Sequence, residues 1–230
     1  MISGVGMAGL LAFLIERERG EAPLTVARLT IDILGTAPRA TIVTPCVVAR
    51  REGKRIRVLE AELWQQGRPF ARASALLIRK AETPAADAGL SWPTPEEMTS
   101  ISPSSNPHLR DAIERRIIRG HPREPGAGAM WVKIDAEMVA GVPLSPLVRA
   151  AMFGDFGSSI GSALDAREWT FANVDISLHF TREPRGEWLL IDALSESDGD
   201  GFSMVSSTFA DRNGVYARGH QALFVDRRTN

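Results

Sequence analysis

The chain repeats itself, and that limits its fold more than any other feature. ARASALLI (71–78) can be laid on ARGHQALFV (217–225), and LTVARLTIDILGTAP from Leu24 on WTFANVDISLHFTREP from Trp169, at nearly the same spacing. Each copy reads as a glycine-containing helix followed by four strands. Such self-similarity implies two copies of one supersecondary unit. A sheet wrapped on a single helix leaves an edge and a face uncovered, so two copies are expected to pair.

In the first copy, residues 3–18 form a helix capped by Ser3. Met7, Leu10, Leu11 and Leu14 give it a buried stripe, and Gly4, Gly6 and Gly9 allow another backbone or a ligand to come close. Strands are expected at 24–38, 41–51, 56–66 and 70–80. Pro45 argues for an edge or a bulge in the second, and Cys46, flanked by Val and Ala, reads as a buried inert thiol. Residues 81–124 are expected to connect the copies. The part to residue 109 is rich in Pro, Ser and Ala, and 109–119 could be a short strand or a helix. A β-like run begins at Met130. Ser145 and Pro146 then open a second helix, broken near Gly154–Gly157. Four strands follow at 169–180, 187–196, 201–211 and 215–226.

The strand at 169–180 carries the chemical signal. Thr170, Ala172, Val174, Ile176 and Leu178 share one parity; Phe171, Asn173, Asp175, Ser177 and His179 share the other. A mid-strand carboxylate such as Asp175 needs solvent, an ion pair or a task. In the repeat, Asp175 aligns with Thr30 and Gln221 with Ala75, so the polar groups occur in the second copy alone. Packing demands act on both copies alike, and the asymmetry points to a site. The bland alternatives are a solvated or ion-paired Asp175 and a strand-end Gln221 satisfied by backbone.

Composition narrows the partners. A net charge of −1 without a basic patch argues against nucleic acid. No apolar run reaches the length of a membrane span. A single cysteine forbids an internal disulfide and suits a reducing, cytoplasmic setting. His108, His121, His179 and His220 show no zinc spacing, and neither metal nor cofactor is expected. GSSIG (157–161) matches G-x-S-x-G, with Asp175 and His220 in the order of a serine hydrolase. That elbow must follow a buried strand, whereas Ser159 falls within helix.

The words DFGSSIG from Asp155, WTFANVDISLHFTREP, EWLLIDA and HQALFVDRR resemble the C-terminal half of the thioesterase-like superfamily, related to bacterial acyl-CoA thioesterase II. The resemblance implies an α+β double hotdog: two antiparallel sheets, each wrapped on a helix and fused in one chain. The units would be 1–80 and 125–230, with 81–124 as linker and the site in the second unit, facing the first helix. It implies hydrolysis of acyl-CoA by a water that an aspartate, a Ser or Thr, and a glutamine orient together. These match Asp175, Ser195 (Ser197 if the match slips by two) and Gln221. Substrate-binding backbone is expected at Gly4 and Gly6 or at Phe156 and Gly157, where helix N-termini could face an oxyanion. Family members begin with a strand and a His-Gly-Gly-type turn before the first helix. Here the sequence starts at Met1, about where that turn would be, so either the start is truncated or the first unit lacks that strand. A homo-oligomer is expected from the sheet edges. The competing expectation is a double hotdog that binds acyl groups, or only assembles, without catalysis.

Overall fold

A computed structural model describes residues 1–86, 89–101, 112–122 and 124–229. Helix α1 (Gly4–Arg19) starts where expected, with the Gly6 N–H donating to Ser3 Oγ at 3.3 Å. It ends at Gly20, whose φ of 61° only glycine adopts readily and whose N–H closes on the Glu16 carbonyl. Its buried face runs through Met7, Ala8, Leu11, Ala12 and Ile15, with Leu10 and Leu14 on the flank. Gly9 lets α2 (Pro146–Gly154) cross closely, since a Cβ there would run into Met138 and Met152. α2 opens with the Val148 N–H donating to Ser145 Oγ at 3.1 Å and stops at the expected break. The four-residue α3 (Gly157–Ile160) follows it.

The strands are β1 (Leu24–Ile33), β2 (Thr44–Arg51), β3 (Ile56–Gln65), β4 (Arg68–Arg79), β5 (Ile113–Arg119), β6 (Gly128–Ile134), β7 (Trp169–Asn173), β8 (Asp175–Phe180), β9 (Trp188–Glu196), β10 (Phe202–Asp211) and β11 (Gly214–Arg227). They form one antiparallel sheet in the order β2-β3-β4-β1-β8-β11-β10-β9-β6-β5, with β7 pairing β11. The two sheets expected from the sequence are thus one. β1 and β8 pair edge to edge (Thr30 opposite Ser177, Asp32 opposite Asp175), which removes the exposed edge each half would otherwise present. Outward from that junction both sides read alike, β1-β4-β3-β2 and β8-β11-β10-β9, and the second side continues into β6 and β5.

The core lies between one face of the sheet and the helices. Leu29, Ile31, Leu59, Leu77 and Ile176 from the sheet meet Leu11, Ile15 and Phe153 from the helices. Full burial of each such side chain contributes roughly 1.5–3 kcal/mol. Phe153 packs on Phe156 and Phe209, with ring centroids 5.6 and 5.9 Å apart. Cys46 departs from its expectation. β2 is an edge strand with most of its residues exposed, and the thiol is exposed with them. The described part of the connector is fixed to the outer face of the second half. Trp92 Nε1–H donates to Asp192 at 3.0 Å, Trp131 Nε1–H donates to the Pro93 carbonyl at 2.8 Å, and Arg116 lies 4.7 Å over the Trp188 ring. β5, which lies in the connector, pairs β6 beyond it.

Candidate active site

The stretch expected as one strand at 169–180 breaks at Val174. Asn173 lies opposite Leu223 and Ser177 opposite His220, so three residues of this segment face two of β11. This is a β-bulge, and it reverses the alternation. Phe171 and Asn173 turn toward the interior together with Ile176 and Leu178, while Val174 is exposed. Asn173 therefore parts from the polar row it was expected to share with Asp175.

Asp175 starts β8 at the bulge. Its Oδ1 accepts the Ala222 N–H at 2.5 Å, filling a rung of the ladder that backbone leaves open. Its partner across β1 is Asp32, which is paired outward with Arg72. Gln221, the residue before Ala222, points inward. It is 2% exposed, and neither Oε1 nor Nε2 has a hydrogen-bond partner. Its amide lies under Gly157, where a Cβ would collide with Oε1. Ser195 lies in register with Gln221 across Val205 of β10, so its hydroxyl faces the same interior, two strands away. It is 7% exposed and also without a partner. Ser197 points elsewhere and donates to the Phe202 carbonyl.

No sequence argument singles out the carboxylate of Asp155, at the end of α2. Its carboxylate is enclosed where α2, β7 and the N-terminus of α1 meet. Asn173 Nδ2–H donates to Oδ1 at 2.5 Å and to the Asp155 carbonyl at 3.2 Å, and the Val5 N–H of α1 also bonds the carboxylate. Gly4 makes the approach possible, since a Cβ there would fall 2.7 Å from Oδ2. Ser158 Oγ–H reaches Asn173 Oδ1 at 3.5 Å. Burial pushes the Asp155 carboxyl up to about 6, against the opposing pull of Asn173 and Val5. One signal for this residue was legible: an acidic side chain at the C-terminal end of a helix opposes the helix dipole and needs another reason to be there. That reason is the N-terminus of α1, far away in sequence. For Asn173 there was no signal, because its inward turn depends on the bulge.

The fold thus gathers Gly4, Asp155, Gly157, Asn173 and Gln221 on the inner side of one sheet, with Ser195 in the same layer and Asp175 behind it. The Gly6 N–H is already taken by Ser3, and Phe156 gives its N–H to the Phe153 carbonyl and its ring to the core. Ser159 Oγ–H donates to the Phe156 carbonyl at 2.7 Å, while His220 is exposed on the outer face beside Ser206. The serine-hydrolase arrangement is therefore not assembled. His108 lies outside the described residues; His121 and His179 are exposed.

The profile of the acyl-CoA thioesterase C-terminal domain family matches residues 81–225. The chain belongs to this acyl-CoA thioesterase family. No curated protein sequence matches it. Among solved structures, it is similar to a candidate thioesterase from Novosphingobium aromaticivorans (21% identity, 96% of this chain and 86% of that one, TM-score 0.78). It is also similar to the acyl-CoA thioesterase II TesB2 of Mycobacterium marinum (16%, 98% and 91%, TM-score 0.76). A hot dog fold protein from Alicyclobacillus acidocaldarius superposes as well (13%, 99% and 88%, TM-score 0.77). At these identities the likeness establishes the fold: the acyl-CoA thioesterase family chain has the hotdog fold, a large antiparallel sheet wrapped on few helices. Among its described residues, no helix is long and apolar enough to cross a membrane.

Proposed function

We propose that this chain hydrolyses acyl-CoA thioesters with a water held by Asp155, Asn173 and Gln221. The observation that carries the reading is the buried Asp155 carboxylate, fixed between Asn173 and the N-terminus of α1 and poised to exchange a proton near neutral pH. In this reading Asp155 takes a proton from the water as its oxygen bonds the thioester carbonyl carbon. Asn173 fixes the carboxylate, and the Gln221 amide, with both ends unpartnered, holds the water. The oxyanion is met by backbone N–H groups near Gly157. When the tetrahedral intermediate collapses, the C–S bond breaks, the leaving thiolate takes the proton back from Asp155, and the carboxylic acid is released.

The resemblance placed the base at Asp175 and the hydroxyl at Ser195. Geometry favours Asp155 and Asn173, because the Asp175 carboxylate is engaged by the Ala222 N–H and lies at the outer parity of β8. We assign Asp175 to closing the bulge and Ser195 to the wall of the site. The chain is read as two hotdog units, 1–80 and 125–230, joined by 81–124, a reading supported by the matching strand order on the two sides of β1 and β8. The end strands β2 and β5 leave edges through which copies of the chain could assemble into a homo-oligomer.

The test is thiol release from short- to long-chain acyl-CoAs, with Asp155→Asn and Asp175→Asn run beside the wild type. Turnover lost in folded Asp155→Asn and kept in Asp175→Asn supports this assignment, and the reverse restores the resemblance's aspartate. A folded wild type that turns over no chain length favours acyl binding without catalysis.

A further inference from the structure

Alternation along FSMVSSTFAD puts Ser203, Val205 and Ser207 of β10 on the inner face. Ser207 lies between Ala193 of β9 and Gly219 of β11, a row of small side chains. The segment of α3 presses on Ala193 and Ser207: a Cβ on Gly161 would fall 2.9 Å from Ala193 Cβ, and one on Gly157 would fall 3.0 Å from Ser207 Oγ. Close approach explains a small residue at 207 but not a hydroxyl. Alanine would meet the steric demand without burying a polar atom. Ser207 is 7% exposed, and its Oγ has no partner. A buried hydroxyl left unmatched costs about 1–3 kcal/mol. The same point under Gly157 is also approached by Gln221 Oε1, so the unmatched hydroxyl and the unmatched amide converge there.

We infer that Ser207 is a positioning residue for Gln221: its hydroxyl and the Gln221 amide together bind one water-sized polar group beneath Gly157 and fix which way the amide points. The inference rests on the proposed thioesterase site and adds to it a residue that neither the sequence repeat nor the family resemblance marks. Two unmatched oxygens, Gln221 Oε1 and Ser207 Oγ, facing one point suit a water, which takes two to four partners. With the hydroxyl present, the amide has one favoured orientation; without it, the two flipped forms become closer in energy and part of the protein holds the water wrongly. The effect is transmitted through Gln221, so kcat should change and KM should not. Ser203 serves as an internal comparison, because it is as deeply buried (2%), on the same face of the same strand, with an unpartnered Oγ, but opposite Leu223.

The experiment is a double-mutant cycle on the full chain. Ser207→Ala, Ser203→Ala, Gln221→Ala and Ser207→Ala/Gln221→Ala are assayed for thiol release from acyl-CoA. Calorimetry adds the affinity of each for a non-hydrolysable difluoroketone analogue, in which CF2 replaces the thioester sulfur and the hydrated carbonyl mimics the tetrahedral intermediate. Loss of one oriented hydrogen bond predicts a kcat about tenfold lower in Ser207→Ala, with KM within about twofold. Analogue affinity is expected to fall about fivefold, and the melting temperature to change little, because the hydroxyl is matched by the bound water and not by another protein group. In the Gln221→Ala background the Ser207 change should have no further effect. Ser203→Ala should turn over like the wild type. Equal losses with and without Gln221, or unaltered turnover and binding in Ser207→Ala, overturn the inference. A wild type that binds the analogue but turns over no acyl-CoA defeats the hydrolase reading, and the binding cycle still decides Ser207. A wild type that neither binds nor turns over defeats both.

Discussion

Replacing Asp155 by asparagine separates the chemistry of this carboxylate from its packing. The side chain keeps its shape and one acceptor for Asn173 but can no longer ionise. In the wild type, burial raises the folded-state value to about 6, against about 4 in the unfolded chain. A raised carboxyl stabilises the fold only while protonated. Its contribution is therefore complete in acid, falls as pH rises from about 4 through 6, and is gone above that. Two units correspond to about 3 kcal/mol lost across that window. Asparagine loses the Val5 N–H bond, at about 1–2 kcal/mol independent of pH. The variant should thus be less stable than the wild type at pH 4 and level with it or better at pH 8, the gap between the two curves moving by about 2–3 kcal/mol. Urea unfolding of both proteins at several pH values reads this directly. In activity, wild-type kcat/KM should rise tenfold per pH unit below about 6 and level off above, as for a single base. Asp155→Asn should lose about 10²–10⁴-fold at pH 8. Stability curves that stay parallel would refute the buried-charge reasoning, and a variant within tenfold of wild-type turnover would refute the base.

Asp175→Asn keeps an acceptor for the Ala222 N–H and should match wild-type turnover, whereas Asp175→Ala should lower stability by about 1–2 kcal/mol in urea unfolding. Gly157→Ala drives a methyl into the Gln221 amide; circular dichroism should be unchanged while kcat falls about ten- to a hundredfold. Arg182→Ala strands the buried Asp211, which holds Arg182 at 2.6 and 2.8 Å and accepts the Arg185 and Asn213 N–H groups; a loss of about 3–5 kcal/mol is expected in denaturant unfolding.

The sequence by itself determined the elements and their repetition. Helix starts at Ser3 and Ser145, the break after Gly154 and seven of the eight strands of the two copies rest on caps, glycines and alternation. These signals act within a few residues and survive in the fold. It also marked Gln221, because the first copy carries Ala75 at the matched position. Tertiary structure decided what the local pattern could not carry. The pairing of β1 with β8 made one sheet of two, because an edge is satisfied by whichever strand reaches it. A three-against-two mismatch with β11 turned Asn173 inward, which no count along its own strand can foresee. Asp155 became a buried carboxylate because the N-terminus of α1, distant in sequence, closes over it. Its proton affinity is set by that enclosure, and enclosure exists only once the chain has folded.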